Sequence, residues 1–247
     1  NLYRDETAVR LIDEIDYDFS EAEKNSRGLM QRFGSLEVAM RQNDLAFEVR
    51  DYLKSHPNAA VVNLGCGLDS TGRSCDNGSC KIYNLDFPDV IAVRNELLPA
   101  GEREENIPCD LNNTEWFRKI DSSNGAVFFS SGVFYYFLTE QVKALVQQMA
   151  DAFPGSALVF DAANRTAVKM IAKTWLKSAK IKDVGAYFAV SDAPQEISAW
   201  DSRLQVASRG YMLGYTDLKD PSVSGFFRLL AKVGDGMMKM QIVKINF

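Results

Sequence analysis

Residues 59–69, Ala-Ala-Val-Val-Asn-Leu-Gly-Cys-Gly-Leu-Asp, constrain this chain more than any other stretch. Ala60 to Leu64 read as a short apolar strand running directly into a Gly-x-Gly turn at Gly65 and Gly67. Glycine has no Cβ, so the backbone there can take positive φ and let a ligand come into contact with the main chain. A strand ending in such a turn is a nucleotide-site candidate, although a tight strand-to-helix turn calls for glycine whether or not anything binds.

The residues after the turn narrow the choice of ligand. In the dinucleotide fingerprint G-x-G-x-x-G, the pyrophosphate sits on the N-terminus of the next helix. Here Ser70 takes the third glycine position, and Asp69 stands between it and the turn. A carboxylate is a poor neighbour for pyrophosphate and a tolerable one for a positively charged ligand. S-adenosyl-L-methionine carries a sulfonium and an ammonium and no phosphate, so it suits this turn better than a nicotinamide dinucleotide does.

Around this turn the chain changes period once. Residues 5–54 are charged, almost free of Gly and Pro, and carry apolar positions such as Leu11, Ile15, Leu36, Met40, Leu45, Val49 and Leu53. That spacing predicts amphipathic helices, an N-terminal cap over residues 1–55. From His56-Pro57 onward, strand and helix alternate. Strands are expected at 60–64, 81–86, 105–109, 126–130 and 157–161. Helices are expected at 88–98, 114–120 and 139–153, the last capped by Thr139. Such alternation predicts an α/β fold with a parallel sheet covered on both faces and ligands at the C-terminal strand ends. Residues 56–163 form the cofactor-binding half. Residues 164–247 hold an amphipathic stretch at 168–180, a segment at 187–190, a helical turn near 194–200, a strand near 204–211, a helix at 222–232 and a terminal strand at 240–246. No repeat or linker divides the 247 residues, so a single domain is expected.

The strand ends form a constellation. The second strand closes with Asp86, about twenty residues past the turn, where an acid can accept both hydroxyls of a ribose. The third ends in Cys109-Asp110-Leu111, which offers a carboxylate for an adenine amine and a backbone amide for its ring. The fourth ends in Ser130-Ser131-Gly132, followed by Val133-Phe134-Tyr135-Tyr136-Phe137.

Composition removes other classes. A net charge of −5 argues against a nucleic-acid scaffold, and no apolar run is long enough to cross a bilayer. Asn1 in place of Met implies that the natural chain begins earlier. Of the four cysteines, Cys66 and Cys109 fall at strand ends as small apolar groups. Cys75 and Cys80 have a loose zinc-ligand spacing but no second Cys/His pair. The expectation is therefore a reduced, cytoplasmic protein without a bound metal.

Val61 to Ser70, then Asn84-Leu85-Asp86-Phe87-Pro88-Asp89-Val90-Ile91 with Arg94, resemble the leucine carboxyl methyltransferase family. That family includes bacterial polyketide-type O-methyltransferases. The phrases "LGxGLDT" and "DxPxVI" mark it, and the resemblance is closest over residues 39–161. It implies a Rossmann-like class I methyltransferase: a mostly parallel seven-stranded sheet with helices on both faces, a helical cap and an insertion after strand five. It also implies S-adenosyl-L-methionine as cofactor. Arg41, shortly before Asp44, would partner the methionine carboxylate. Gly65, Cys66 and Gly67 would lie under the methionyl and ribose part, Asp86 and Phe87 beside the ribose, and Asp110 and Leu111 at the adenine. The family's Glu-Gly after strand four is Ser131-Gly132 here, which removes an anionic contact near the cofactor's amino group.

No residue is singled out as catalytic. Tyr135, Tyr136 and Arg165 are candidates to meet the acceptor, Arg165 by bidentate pairing with an acid. A phenol or alcohol acceptor needs a base, for which Tyr135, Tyr136, Asp161 or a substrate-assisted route stay open, whereas a carboxylate is already ionised at neutral pH. The sole histidine, His56, precedes the first strand, at the far end of the sheet from the site. The reading is therefore an O-methyltransferase of a small-molecule carboxylate, with no nucleic-acid or membrane partner and an undefined oligomeric state. A catalytically silent binding protein and, behind it, an NAD(P)-dependent oxidoreductase are the alternatives.

Overall fold

The structure is a computed structural model, and it describes residues 5–171, 173, 185–221 and 223–247. Three helices open the chain: α1 (Glu6–Glu14), α2 (Ser20–Ser26) and α3 (Leu29–Ser55). There follow β1 (Ala60–Leu64), the single turn α4 (Thr71–Ser74), β2 (Lys81–Asp86), α5 (Pro88–Leu97) and β3 (Glu104–Pro108). A 3-10 segment at Thr114–Lys119, then β4 (Ala126–Ser130), a 3-10 turn at Phe134–Tyr136, α6 (Thr139–Ala152) and β5 (Ala157–Ala162) complete the alternation. Beyond it lie α7 (Arg165–Ile171), α8 (Ala193–Ser198), β6 (Gln205–Gly210), α9 (Gly225–Gly236) and β7 (Gln241–Asn246).

The seven strands form one sheet in the order β3-β2-β1-β4-β5-β7-β6. β1 to β5 are parallel, and β7 runs antiparallel to both β5 and β6. β1, β4 and β5 are buried along their whole length, as strands covered on both faces must be. The edge strand β6 shows no fully buried residue. Successive residues of each strand face opposite layers. Val61, Ile82, Val127 and Val159 pack with Leu45, Val49 and Leu53 of α3 and with Phe227 and Ala231 of α9. Val62, Tyr83, Phe128 and Phe160 pack on the other face with Trp116 and with Val142, Val146 and Met149 of α6.

α3 crosses the sheet from the strand ends to the strand beginnings. Arg41 reaches Asp161 of β5, while Tyr52 and His56 lie beside Gly125 before β4. The helix is fixed to β7 by Lys244 Nζ donating to Glu48 Oε2 at 2.9 Å. Among the described residues no helix is long and apolar enough to cross a membrane.

Several sequence expectations move. Thr139 is the first residue of α6 and not its cap; Leu138 is the N-cap, and its N–H donates to Gln141 Oε1 at 2.8 Å. The helix expected at 222–232 starts later, at Gly225, behind a Ser224 cap that accepts from the Phe227 N–H. The segment at 187–190, expected without an element type, is irregular and is tied by Tyr187 N–H to Tyr135 O and by Val190 N–H to Ala163 O. Most of the stretch at 168–180 lies outside the described residues.

Candidate cofactor site

The strand order reverses between β1 and β4, and the crevice above that point is where open α/β sheets bind ligands. A cleft of about 920 Å³ opens there, its lining among the described residues including Gly65, Asp86, Phe87, Leu111, Val133 and Tyr136. Gly65 has φ +72°, and a Cβ built on it would lie 2.5 Å from Val133 Cγ2. Only glycine allows the ends of β1 and β4 to approach so closely in that backbone conformation.

Asp86 is fixed by the turn it faces. Its Oδ2 accepts from the Gly67 N–H at 2.7 Å and its Oδ1 from the Phe87 N–H at 2.8 Å. Each oxygen keeps lone-pair capacity on the cleft side. Pro88 then starts α5 at a position that needs no N–H donor.

The glycine turn stands on buried polar bonds. Asn63, Asn84 and Asn106 are in register across β1, β2 and β3. Asn84 Nδ2 donates to Asn106 Oδ1 at 3.0 Å, and Asn63 Nδ2 to Asp69 Oδ2 at 2.9 Å. Arg94 of α5, 1 % exposed, donates to Gly67 O at 2.9 Å, Asp69 O at 2.8 Å and Asn106 Oδ1 at 3.2 Å. The sequence quoted Arg94 without a role; its burial is a tertiary fact that no local pattern announces.

Asp69 differs from its expected use. Its carboxylate accepts from Gln42 Nε2, Asn63 Nδ2, the Thr71 N–H and Thr71 Oγ1, at 2.7–3.1 Å. Burial pushes its pKa up and these bonds pull it down. Asp69 therefore welds the turn to α3 and α4 and does not serve as a free charge for a ligand. α4 is four residues long, so no extended helix follows the turn for a pyrophosphate to sit on.

Arg41 lies beyond Gly132, whose positive φ of +70° brings its backbone to the guanidinium: a Cβ there would meet Arg41 Nη1 at 3.1 Å. Arg41 Nη1 pairs with Asp161 Oδ2 at 3.2 Å, and Asp161 Oδ1 accepts from the Gly132 N–H at 2.6 Å. Burial opposes the arginine's charge, but Asp161, Tyr211, Tyr135 and Glu37 around it hold its pKa above the ordinary value. Arg41 Nε is buried and has no hydrogen-bond partner among the described residues. Ser131 Oγ donates to Gln42 Oε1 at 2.5 Å, which links it through Gln42 to Asp69.

The remaining candidates are spread more widely. Asp110 is exposed, and its Oδ1 accepts from the backbone and side chain of Asn112; the adjoining Leu111 is the residue that reaches the cleft. Cys66 is 1 % exposed, its N–H donating to Leu85 O, and burial pushes its thiol up to about 12. Tyr135 is buried against Asp161 and Arg41, whereas Tyr136 is exposed at the cleft. Arg165 faces a separate depression of about 310 Å³ with Lys169, Thr139 and Tyr187. The residues that sequence reasoning missed are Asp161 as Arg41's partner and Gln42 as the link between Ser131 and Asp69.

Comparison with known proteins adds a family and a fold to this geometry. The family model described as leucine carboxyl methyltransferase matches residues 1–150. Tetracenomycin polyketide synthesis O-methyltransferase TcmP of Streptomyces glaucescens is 27% identical over 159 residues, 64% of this chain and 57% of that protein. The chain thus spans little more than half the length of this curated relative. Among solved structures, a DUF574 family protein from Streptomyces avermitilis superposes with a TM-score of 0.60 at 14% identity, over 91% of this chain and 90% of that one. The plantazolicin methyltransferase BamL, in complex with a triazolic desmethylPZN analog and SAH, gives 0.57 at 14% identity over 92% and 91%. At such identities the likeness is one of fold, a Rossmann-like methyltransferase sheet.

Proposed function

We propose a function from one premise: the chain belongs to the leucine carboxyl methyltransferase family. On that premise it is an S-adenosylmethionine-dependent O-methyltransferase whose acceptor is a small carboxylate. The observation that carries this reading is an acid anchored on the glycine turn at the cleft, together with an arginine behind Gly132 whose buried Nε has no partner among the described residues. Asp86 would take the ribose hydroxyls and Arg41 Nε the methionine carboxylate. Phe87 and Leu111 would supply apolar faces for the adenine, with Asp110 at its rim. Ser131 would reach the methionine part through its link to Gln42.

When bound, the cofactor supplies a methyl group on a sulfonium, the electrophile of an in-line displacement. The chain's share is to align the acceptor and exclude water from it. Among the described residues two of the groups suited by type to take a proton, His56 and Tyr135, are poorly suited by place or environment. His56 stacks on Tyr52 at the strand beginnings, ring centroids 4.3 Å apart. Burial, with Asp161 alongside, pushes the Tyr135 phenol well above its ordinary range. A carboxylate acceptor needs no such base, being ionised at neutral pH. Four free cysteines support a reducing compartment, and we assign the protein to the cytoplasm.

The test has two stages. Calorimetric titration compares S-adenosylhomocysteine with NAD, and labelled-methyl incorporation is then followed over small carboxylic acids and phenols. Tight S-adenosylhomocysteine binding with transfer to acids is expected. Transfer to phenols alone overturns the acceptor class, binding without any turnover makes the chain a silent binding protein, and preference for NAD overturns the cofactor.

A further inference from the structure

We infer that Asp161 is a specificity-determining residue of the cofactor site, supplying the negative charge that balances the α-ammonium of the bound amino-acid group while positioning Arg41. The inference rests on the proposed cofactor and extends it to a residue of β5.

The observations are a count of charges and of bonds. Asp161 is 2 % exposed and joins three separate parts of the chain: its own strand, Gly132 after β4 through a 2.6 Å bond, and Arg41 of α3 through a 3.2 Å ion pair. A second carboxylate, Glu37, faces the same guanidinium and accepts from Tyr211 Oη at 3.0 Å. Ser131, at the neighbouring strand end, is neutral, and its hydroxyl is engaged by Gln42. The cluster thus holds one guanidinium against two carboxylates, and burial already raises the pKa of Glu37.

A ligand bearing a carboxylate alone would add a third negative group around one cation. A zwitterionic α-amino acid brings its own cation, and Asp161 is the carboxylate already committed to the charged side of the cluster. An unpaired charge in a buried site is strongly disfavoured, so the site discriminates between these two ligands by charge balance. Asp161 holds Nη1 while Nε has no partner among the described residues, so one carboxylate would perform both tasks.

The experiment is titration calorimetry of the full chain with three probes: S-adenosylhomocysteine, its analogue lacking the α-amino group, and 5′-methylthioadenosine, which lacks the whole amino-acid part. The native chain is expected to bind S-adenosylhomocysteine at least tenfold tighter than the deamino analogue. Asp161→Asn should weaken S-adenosylhomocysteine at least tenfold while changing 5′-methylthioadenosine less than threefold, and Asp161→Asn with Ser131→Glu should recover most of the loss.

Equal weakening of all three probes would reduce Asp161 to a structural residue and overturn the inference, as would an unchanged affinity for S-adenosylhomocysteine. Binding of 5′-methylthioadenosine with no preference for S-adenosylhomocysteine leaves the adenosyl site standing and removes only the role of Asp161. Binding of none of the three overturns the cofactor reading itself. Should Asp161→Asn not fold, Ser131→Glu in the native chain decides: a change under threefold supports a charge already in place, and a tenfold gain shows that it was missing.

Discussion

In Gly65→Ala the added methyl would lie 2.5 Å from Val133 Cγ2 and 2.9 Å from Cγ1, closer than real Cβ contacts come. Two costs follow. Alanine at φ +72° is in the left-handed region, at about 1–2 kcal/mol. Displacing Val133, which sits in the loop just after β4, adds roughly 1–3 kcal/mol of overpacking. The expected loss in urea unfolding is therefore about 2–5 kcal/mol, with weaker binding of S-adenosylhomocysteine because both residues line the cleft. Val133→Ala removes both Cγ carbons and leaves only the Cβ contact at 3.2 Å. In a double-mutant cycle Gly65→Ala and Val133→Ala should couple by about 1–3 kcal/mol, the conformational cost alone remaining in the double variant. Additivity within about 0.5 kcal/mol would mean that the two strand ends are not in contact and would refute the cleft as described.

Arg41→Ala and Asp86→Asn should each weaken S-adenosylhomocysteine by about 1–3 kcal/mol in calorimetry, and unchanged affinity in both would mean that the site lies elsewhere. Asp44 is fully buried, its Oδ2 without a partner among the described residues, and burial pushes its pKa from 3.8 up to about 7. Its neutral form is favoured on folding, so its contribution to stability is complete below pH 3.8 and is lost as pH rises through 7, up to about 4 kcal/mol in all. Urea unfolding at pH 5 and pH 8 should accordingly show a smaller decline in Asp44→Asn than in the native chain; equal declines would remove the claim. Arg94→Met leaves two half-buried carbonyls without their donor and should cost about 1–3 kcal/mol, read as a lower urea midpoint. If the separate depression at Arg165 receives the acceptor, Arg165→Ala should raise the acceptor KM, and an unaltered KM would take that arginine out of the acceptor's path.

What the sequence made legible was whatever is encoded locally. The turn at Gly65 and Gly67, the acid at Asp86 and the alternation of elements each follow from residue type and spacing, and the strands fall within a residue of their expected bounds. Asp161 could not be read in this way, because its pairing with Arg41 spans 120 positions and is made only when α3 crosses the sheet. Asp69 was legible as a charge near the turn but not as a structural acceptor, since its donors come from β1, α3 and α4 at once. Thr139 satisfied the rule for a cap by type, yet a Gln141 side chain bonded to the Leu138 amide holds that helix start. Cap chemistry is a contest among adjacent residues, which composition alone does not decide.

The side chain of Arg94 and the three asparagines beneath the turn have a kinetic corollary. Arg94 ties the loop's carbonyls to α5 and, through Asn106 and Asn84, to β3 and β2, while Asn63 of β1 holds the Asp69 carboxylate, so the loop's shape is finished when the sheet is finished. A ligand arriving there meets a rigid socket and has no backbone to order, which favours prompt association. On the proposed reading, any slow phase in loading belongs instead to the Arg41–Asp161 pair, which would have to share its charge with a newcomer.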